Sequence, residues 1–433
     1  TVLSGLKKYT NNLTAIVTVS DYGEQVSESR RELGTLPLDD IKDSMIALAN
    51  EENQMDKLLN YKFRAGRLRG LSFSDIYFLA MNEVNKDFSK SIINCNKVLN
   101  ITGKVIPVTL DEMNITAELA NGYVITEKSR IAEVVYDKIT KINRIYLNPS
   151  NCRPAPGVIE AIKNADCIIV GPGSLYTNVI PNLLVNGVAK AIKESTAIKV
   201  YISNIMTEPG QTDNYSVSDH LNAIIEHCGK GVIDYCIYDT GEIIPEMIKK
   251  YNMEGQDLVE QNIDKVKGIT FLQRNLSVIA DGYIRHDPTL VASSIIQLIC
   301  DDLKYQDKQN DPQYMMLNNK LKEDKRIQKI QKQMAKKKNK GSTKKDNNGK
   351  RNKSKFASKY SDRIDSIRNA DERIKREKKK LEKKKLEKRR ANRTPKKRPN
   401  NVRNPKHIKE KTSAEIRKEM METLEKSKLY PKD

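Results

Sequence analysis

The chain has 433 residues, with 77 Lys and Arg against 56 Asp and Glu, and its net charge is +21. The charge is unevenly divided, because residues 304–433 hold 46 basic and 18 acidic residues while residues 1–303 hold 31 and 38. These counts exclude a uniformly basic fold. They predict a mildly acidic folded region, residues 1–303, that carries a strongly basic tail, residues 304–433.

Cysteine usage and hydropathy narrow the class of protein further. The six cysteines include no Cys-x-x-Cys pair, and several lie within apolar stretches. This usage is typical of reduced thiols and not of a disulfide framework. No apolar run approaches the roughly 18–20 residues that a membrane span needs. We therefore expect a cytoplasmic protein without a membrane span.

The first hundred residues predict helices around one strand. Thr1–Tyr9 has the pattern of a helix already under way, so we expect a further segment ahead of it. The β-branched run Leu13–Val19 predicts a strand. Apolar residues at helical spacing predict a helix over 39–60 and one or two helices over 73–99.

Residues 103–147 predict a β-rich insertion. Its predicted strands are 103–109, 114–119, 123–126 and 142–147. Asn121-Gly122, between the second and the third of them, is the dipeptide most typical of a tight hairpin turn. We therefore expect a hairpin within this insertion.

From residue 157 onward, helices and strands alternate. Helices are predicted at 157–164, 182–195 and 219–229, and strands at 166–170, 198–203 and 233–238. Ser218 is expected to cap the third helix. This rhythm predicts an α/β, Rossmann-like fold with a doubly wound, mostly parallel sheet. In such sheets ligands bind beyond the carboxyl ends of the strands.

A glycine turn follows the first strand of this series. Gly171-Pro172-Gly173-Ser174 joins an apolar strand to a helix, and this arrangement lets backbone amides approach an anionic group. Ser174, Thr177 and Asn178 add side-chain donors at the same place. One short glycine loop is a weak motif, so two interpretations stay open: a phosphate or sugar site, and an ordinary β–α turn.

Two further stretches are candidates for the same site. The loop Asn204–Asp213 is rich in hydrogen-bonding side chains and follows the next strand, although many such loops are merely solvated. Arg285 and His286 precede a last helix that Asp287 caps and Pro288 opens. Arg285 can hold a diphosphate through paired hydrogen bonds, and the alternative is a surface Arg beside a helix cap.

No metal centre or catalytic residue is predicted. His220, His227 and Cys228 fall on one helix, but no His or carboxylate three or four positions away completes a set of ligands. Neither a Ser-His-Asp nor a Cys-His arrangement stands out in the sequence. The paired aspartates of the chain have the positions of helix-end charges.

The tail has its own composition. Residues 318–356 are nearly all polar, a composition that cannot bury a core, and helices are predicted at 361–392 and 413–427. The Lys and Arg blocks attract any polyanion, but few aromatic residues are present to stack on bases. Non-specific binding of RNA or another polyanion and a merely solvated tail therefore both stay open.

Five stretches together resemble a known family. They are Gly5–Thr10, Thr14–Val19, Arg31–Gly34, Gly171–Leu184 and Asn204–Asp213. The last two, Gly-Pro-Gly-Ser-Leu-Tyr-Thr-Asn-Val-Ile-Pro-Asn-Leu-Leu and Asn-Ile-Met-Thr-Glu-Pro-Gly-Gln-Thr-Asp, are far more specific than a bare glycine motif. On these residues, about 1–300 of the chain resembles the YvcK-like gluconeogenesis factors of the 2-phospho-L-lactate transferase (CofD-like) superfamily.

The resemblance implies a Rossmann-like core that binds UDP-sugars such as UDP-N-acetylglucosamine. It implies a cytoplasmic factor tied to gluconeogenic growth, cell shape and the supply of wall precursors. The positions that match the family's ligand-binding segments are Asp21, Gly171, Gly173, Ser174, Tyr176, Thr177, Asn178, Asn204, Thr207, Gln211, Thr212, Asp213, Arg285 and His286.

The amino-terminal half departs from the family pattern. The family's Gly-Gly-Gly-Thr-Gly loop would precede Thr1, and its Asp-Asp-Gly-Gly-Ser-Ser-Gly-Arg segment is retained only around Asp21. These departures favour a non-catalytic protein that binds a UDP-sugar, and no cofactor is predicted beside that ligand. One alternative is a phosphoryl-transfer enzyme, whose Mg²⁺ would need Asp21, Asp40 or Asp213. Another is an RNA-binding adaptor that uses the tail, and a homo-oligomer also stays open.

Overall fold

The structure, a computed structural model, describes residues 1–19, 38–50, 55–126, 128–137, 140–264 and 266–341. Described residues as far as Arg326 lie in one compact unit, here called the body, and a second unit begins at Ile327. All six cysteines lie within the described part of the body, and each is free of a disulfide. Within the described ranges, no helix is both long and apolar enough to cross a membrane.

The strands are β1 (Thr14–Val17), β2 (Lys104–Pro107), β3 (Asn114–Leu119), β4 (Val124–Ile125), β5 (Ile142–Asn148), β6 (Cys167–Val170), β7 (Ile198–Ile202), β8 (Tyr235–Asp239), β9 (Thr270–Arg274), β10 (Ser277–Ala280) and β11 (Tyr283–His286). The helices are α1 (Val2–Leu6), α2 (Asp39–Leu48), α3 (Met55–Leu59), α4 (Phe73–Asn85), α5 (Phe88–Val98), α6 (Ile131–Asp137), α7 (Val158–Lys163), α8 (Ile180–Leu184), α9 (Val188–Glu194), α10 (Val217–Cys228), α11 (Pro245–Asn252), α12 (Pro288–Tyr305) and α13 (Pro312–Gly341).

Two parallel sheets form the centre of the body. In the first, β1 pairs with β2 residue for residue, from Thr14 opposite Lys104 to Val17 opposite Pro107. The second has four parallel strands in the order β6-β7-β8-β9, and helices connect them. Parallel strands joined by helices are the arrangement that the alternating pattern predicted, so the Rossmann-like α/β class is confirmed.

The helices around β1 and β2 differ in one place from the prediction. The predicted helix over 39–60 is interrupted, because α2 ends at Leu48 and Ala49 takes an extended conformation and bridges to Ile101. The apolar face of α2 is fully buried through Ile41, Met45 and Leu48. The helices predicted within 73–99 are confirmed as α4 and α5.

The β-rich layer is smaller than predicted. β3 pairs antiparallel with both β4 and β5, and the predicted turn at Asn121-Gly122 is present, with a φ of +85° at Gly122. The insertion predicted over 103–147 begins too early, because β2 pairs with β1 and belongs to the central sheets. The helix α6 within it was not predicted.

Two predictions in the second half need correction. The helix predicted over 182–195 is two helices, α8 and α9, because Val185 is extended and Gly187 has a φ of +81°. The cap of α10 is Ser216 and not Ser218, since the Ser216 hydroxyl accepts from the Asp219 amide at 3.2 Å. The prediction placed this helix two residues too late.

The carboxyl-terminal end of the body continues beyond the predicted boundary. Residue 303 lies inside α12, which Asp287 caps as predicted by accepting from the amides of Thr289 and Leu290. α13 then buries Leu317 and Leu321 in the apolar cluster that contains the α12 face. The polar stretch predicted from 318 onward therefore begins as a packed helix. The predicted helices 361–392 and 413–427 lie outside the described residues.

Candidate functional site

The glycine turn lies at the carboxyl end of β6, against the end of β7. Gly171 has a φ of +76°, and a Cβ there would lie 3.0 Å from the carbonyl oxygen of Ile202. Only glycine adopts this conformation without strain at so close an approach. Beyond the turn, Leu175–Val179 forms a π-helical turn before α8 begins. Such turns are common near functional sites.

Gly173 and Asn204 hold the two predicted loops together. The Gly173 amide donates to the side-chain oxygen of Asn204 at 3.2 Å, and the Asn204 side-chain nitrogen donates back to the Gly173 carbonyl at 3.0 Å. This reciprocal pair joins the ends of β6 and β7. The structure therefore brings the glycine turn and the loop Asn204–Asp213 side by side at one edge of the sheet.

Ser174 is the centre of a small polar cluster. Its hydroxyl lies 2.5 Å from a carboxyl oxygen of Glu208 and 3.3 Å from the side-chain oxygen of Gln211. The Thr177 hydroxyl donates to Ser174 at 2.6 Å. Burial raises the pKa of Glu208, and the hydrogen bond from Ser174 partly opposes that rise. Glu208 was not predicted as a site residue. The only feature of the sequence that could have indicated it is its position in a polar loop that follows a strand.

A second polar cluster joins the ends of β1 and β6. The Asn178 side chain donates to a carboxyl oxygen of Asp40 at 3.2 Å, and the Thr18 hydroxyl donates to the Asn178 carbonyl at 3.3 Å. Burial raises the pKa of Asp40, while the positive charge of Lys128 lowers it. Lys128 is only 8% exposed. The sequence pattern did not predict a role for Lys128, because only the tertiary fold brings it close to Asp40.

Three predicted residues shape the loop Asn204–Asp213 from within. The Thr207 hydroxyl accepts from the Asp257 amide at 2.9 Å, and the Thr212 hydroxyl accepts from the Glu208 amide at 2.8 Å. Asp213 accepts from the Gly210 amide at 2.7 Å. Thr207 and Thr212 are almost completely buried. These side chains fix the shape of the loop through hydrogen bonds with backbone amides, two within the loop itself and one at Asp257.

Tyr176 points into the core. Its hydroxyl lies 2.8 Å from that of Tyr215, and its ring packs edge-on against Tyr215 and His227. Burial, the largest cause, and the Tyr215 hydroxyl both raise the pKa of Tyr176. Tyr176 is 2% exposed. It therefore anchors the π-helical turn Leu175–Val179 to the core of the body.

Arg285 and His286 lie on the last strand, β11, and have different surroundings. The His286 Nε2 lies 3.1 Å from the carbonyl of Ser203, just beyond β7. Burial lowers the pKa of His286, which favours a neutral ring that donates to this carbonyl. Arg285 is exposed, and its guanidinium lies 5.5 Å from the centre of the Tyr283 ring. Asp21 lies outside the described residues.

A cavity of about 1710 Å³ opens beside these clusters. Of the predicted site residues that the structure describes, Gly171, Gly173 and Asn178 line it, and Asp40 joins them. Ser174 and the loop Asn204–Asp213 lie next to its wall, through the contacts of Gly173. The polar edge is therefore continuous with a large open cavity between β1 and β6.

The two histidines of α10, His220 and His227, form hydrogen bonds with the backbone. The Ile145 amide donates to Nε2 of His227 at 2.9 Å, so the Nδ1 hydrogen faces the Ala223 carbonyl at 2.6 Å. His220 Nδ1 lies 2.9 Å from the Ser216 carbonyl. Burial lowers the pKa of both rings. In the described ranges, no three His, Cys, Asp or Glu side chains come together as metal ligands.

Comparisons with known proteins find relatives of the body. Residues 1–277 match the family described as 2-phospho-L-lactate transferase CofD. A putative gluconeogenesis factor of Clostridium acetobutylicum is 40% identical over 332 residues, which are 76% of this chain and 73% of that protein. The gluconeogenesis factor of Bacillus subtilis is 36% identical over 69% of this chain and 94% of that protein. A crystal structure of a UPF0052 family protein from Bacillus halodurans, 37% identical, has a TM-score of 0.65 and covers 68% of this chain and 95% of that one.

Proposed function

The chain belongs to the CofD-like family that includes the gluconeogenesis factors, and on that premise we propose that it binds a nucleotide sugar of the UDP-N-acetylglucosamine kind. In this proposal it acts in the cytoplasm as a regulatory factor linked to gluconeogenic growth, cell shape and wall precursor supply. The ligand lies across the carboxyl ends of β1, β6 and β7, with its diphosphate near Gly171–Ser174. This edge of a parallel sheet is where ligands bind in α/β folds.

The reciprocal bonds between Gly173 and Asn204 carry the proposal. They keep the glycine turn and the polar loop in register, and Ser174 extends the contact to Glu208 and Gln211. An ordinary β–α turn needs no side-chain pairing with the next loop. A surface of polar groups that are held in place before binding is what an oriented ligand requires.

The charges at this edge suit a diphosphate. Lys128 lies close enough to Asp40 for its positive charge to lower the pKa of that carboxyl, and Asp40 lines the cavity. An ionised Glu208 would repel a phosphate. Burial raises the pKa of Glu208 and so lowers the cost of protonating its carboxyl, which as a neutral group would donate to a phosphate oxygen.

The hydrogen bonds of Asp213 and Asp40 and the raised pKa of Asp40 favour a role without catalytic turnover. Asp213 accepts from the Gly210 amide within its own loop, and Asp40 is bonded to Asn178 and has a raised pKa. Mg²⁺ favours ionised carboxylates with open coordination positions. We therefore favour binding over phosphoryl transfer. Hydrolysis or transfer of a nucleotide sugar by the full chain with Mg²⁺ would support the enzyme instead.

Calorimetric titration of UDP-N-acetylglucosamine into the full chain tests the proposal. We expect saturable binding that weakens about tenfold in Lys128→Met, because a charge-assisted contact is lost. Lys163→Met is the matched control, since it removes the same charge from an exposed position at the end of α7 and should bind like the wild type. Two results contradict the proposal: no saturable binding at millimolar ligand, or an equal loss of affinity in both variants.

The tail supports a second candidate function. Residues 304–433 carry 46 basic and 18 acidic residues, whereas the rest of the chain is mildly acidic. We propose that this segment binds RNA or another polyanion by charge. Because it uses a different part of the chain, this function and nucleotide-sugar binding are compatible.

A further inference from the structure

Tyr201 lies directly beneath the glycine turn. It belongs to β7 and is fully buried, and its ring carbon Cε2 lies 3.3 Å from the place where a Cβ at Gly171 would be. Cε2 neighbours the carbon that bears the hydroxyl. The Tyr201 hydroxyl is therefore buried close to the turn that leads to Ser174.

The Tyr201 hydroxyl has no hydrogen-bond partner among the residues that the structure describes. Cys236, which lies opposite Tyr201 on β8, is a poor acceptor. Burial raises the pKa of the Cys236 thiol to about 12, and a neutral thiol accepts hydrogen bonds only weakly. Because a buried hydroxyl without a partner is costly and uncommon, this group is a donor for any stronger acceptor that reaches it.

Glu208 is such an acceptor. Burial above all, and then the charges of Cys236 and Glu208, raise the pKa of Tyr201, so the Glu208 carboxyl lies near the phenol. The order of the chain agrees, because Tyr201 is in β7 and Glu208 is in the loop that follows it. The carboxyl of Glu208 bonds to Ser174, at the turn that lies over the Tyr201 ring.

The side chain of Glu208 can turn while its backbone stays in place. Its amide donates to the Thr212 hydroxyl at 2.8 Å, and its carbonyl accepts from the amides of Gln211 and Thr212 at 3.0 and 2.9 Å. These bonds hold the loop. The half-buried side chain has three torsions of its own, and rotation about them moves the carboxyl without moving the loop.

A phosphate at the glycine turn would compete with Glu208. Both groups accept from the Ser174 hydroxyl, and an ionised carboxylate repels the phosphate at short range. Protonation of Glu208 is one way to relieve this repulsion, and movement of the carboxylate is another. Movement toward Tyr201 replaces one hydrogen bond with two, because Ser174 then donates to the phosphate and Tyr201 donates to Glu208.

We propose that the Glu208 carboxylate has two positions, one bonded to Ser174 and one bonded to the Tyr201 hydroxyl, and that a bound phosphate group moves it from the first to the second. Tyr201 is thus a positioning residue, which acts on the ligand through Glu208 and does not touch it. The role of the phosphate rests on the proposed function, whereas the existence of the second position does not.

Thermal unfolding of the full chain tests the second position without a ligand. Tyr201→Phe should raise the midpoint at pH 8, because it removes a buried hydroxyl that has no partner. Ser174→Ala removes the first position, so the carboxylate should move to Tyr201. In the Ser174→Ala protein, Tyr201→Phe should therefore lower the midpoint. Tyr77→Phe is the matched control, since it removes a buried hydroxyl from α4 and should have the same effect with and without Ser174→Ala.

Calorimetric titration of UDP-N-acetylglucosamine tests the role of the phosphate. Tyr201→Phe should weaken binding about tenfold, because the displaced carboxylate loses its partner. Tyr77→Phe should bind like the wild type. In a Glu208→Ala protein, Tyr201→Phe should change the affinity by less than about twofold, since no carboxylate remains to be placed. A purely structural role of Tyr201 would weaken binding equally with and without Glu208.

A midpoint effect of Tyr201→Phe that reverses in sign with Ser174→Ala supports the second position. An equal effect in both proteins overturns the proposal. So does wild-type affinity in Tyr201→Phe, which would leave protonation of Glu208 as the relief of repulsion, or an equal loss of affinity with and without Glu208. If the wild type shows no saturable binding, the proposed function fails, and the unfolding measurements alone decide whether the second position exists.

Discussion

At the residue scale, the Ser174 hydroxyl shows how the candidate site is built. It donates to Glu208, accepts from Thr177, and sits one residue after the Gly173–Asn204 pair. The polar groups of the edge thus satisfy one another when no ligand is bound. A ligand has to exchange these bonds for its own, and the net gain of each exchanged hydrogen bond is modest, about 1 kcal/mol. Binding at this edge therefore depends on charge as well as on hydrogen bonds.

Glu208 makes the stability of the body depend on pH. Its pKa is raised above the ordinary 4.5, so the folded state holds a proton that the unfolded chain releases first. Stability from this group is complete below the ordinary pKa and is lost as the pH rises through the folded value. Glu208→Gln removes that loss. We expect its thermal midpoint to exceed that of the wild type at pH 8 and to match it near pH 4.

The control for this measurement is Glu160→Gln. Glu160 is exposed on α7, and the substitution makes the same change of charge. Its midpoint should differ from the wild type by the same small amount at both pH values. A Glu208→Gln variant that behaves like Glu160→Gln across the pH range would show that the Glu208 carboxyl is ionised in the folded protein.

The two glycines of the turn should respond differently to alanine. At Gly171 a Cβ meets the Ile202 carbonyl at 3.0 Å on a backbone with a φ of +76°, so Gly171→Ala should destabilise the body by about 1–2 kcal/mol. At Gly173 the nearest atom to a Cβ is Val179 Cγ2 at 3.8 Å, which is an ordinary contact. Gly173→Ala should keep the thermal midpoint and weaken UDP-N-acetylglucosamine about tenfold, because the Cβ covers the backbone that the phosphate approaches. Unchanged affinity in a stable Gly173→Ala protein would count against the site.

At the scale of elements, local signals located most helices and strands, and tertiary contacts decided the rest. The cap at Asp287 and the turn at Asn121-Gly122 are properties of two or three neighbouring residues, and both are confirmed. The end of α2 at Leu48 is not local, because it depends on a bridge from Ala49 to Ile101, far along the chain. The sequence of β2 likewise does not indicate that β2 pairs with β1.

α13 shows how composition can mislead. It is strongly polar overall, yet Leu317 and Leu321 are 3% and 2% exposed, and the Tyr9 hydroxyl bonds to Asp324. The Lys320 ammonium also donates to the Tyr9 carbonyl at 2.9 Å. Two apolar residues at a spacing of four suffice to hold a helix when the rest of its surface faces water.

This packing predicts a large effect of one substitution. Leu321→Ala should reduce the free energy of unfolding of the full chain by about 2–3 kcal/mol, because a buried side chain is removed from a packed cluster. Met315→Ala, on the same helix but 47% exposed, should change it by less than about 0.5 kcal/mol. Denaturant unfolding gives both values. Equal effects of the two substitutions would contradict the packing of α13 on the body.

At the scale of the whole molecule, the sequence allowed the α/β class and the two loops of the candidate site to be predicted, but not the way those loops meet. Strand rhythm places Gly171 and Asn204 after neighbouring strands, which is enough to bring them to one edge. Glu208 and Lys128 were missed, since their importance lies in burial and in partners that only the fold supplies. The boundary at residue 303 was predicted from charge alone, and charge gives no indication that Leu317 and Leu321 are buried.

The position of that boundary decides how the RNA-binding candidate must be tested. Removal of residues 327–433 leaves α13 on the body through Leu321, whereas removal of residues 304–433 also deletes Leu317, Leu321 and the Asp324 partner of Tyr9. We expect the full chain to bind single-stranded poly-U in fluorescence anisotropy, with an affinity that falls steeply as salt rises. Removal of 327–433 should abolish this binding at an unchanged thermal midpoint, and removal of 304–433 should lower the midpoint as well. Retained binding after the shorter removal would assign RNA affinity to the body and refute the tail's role.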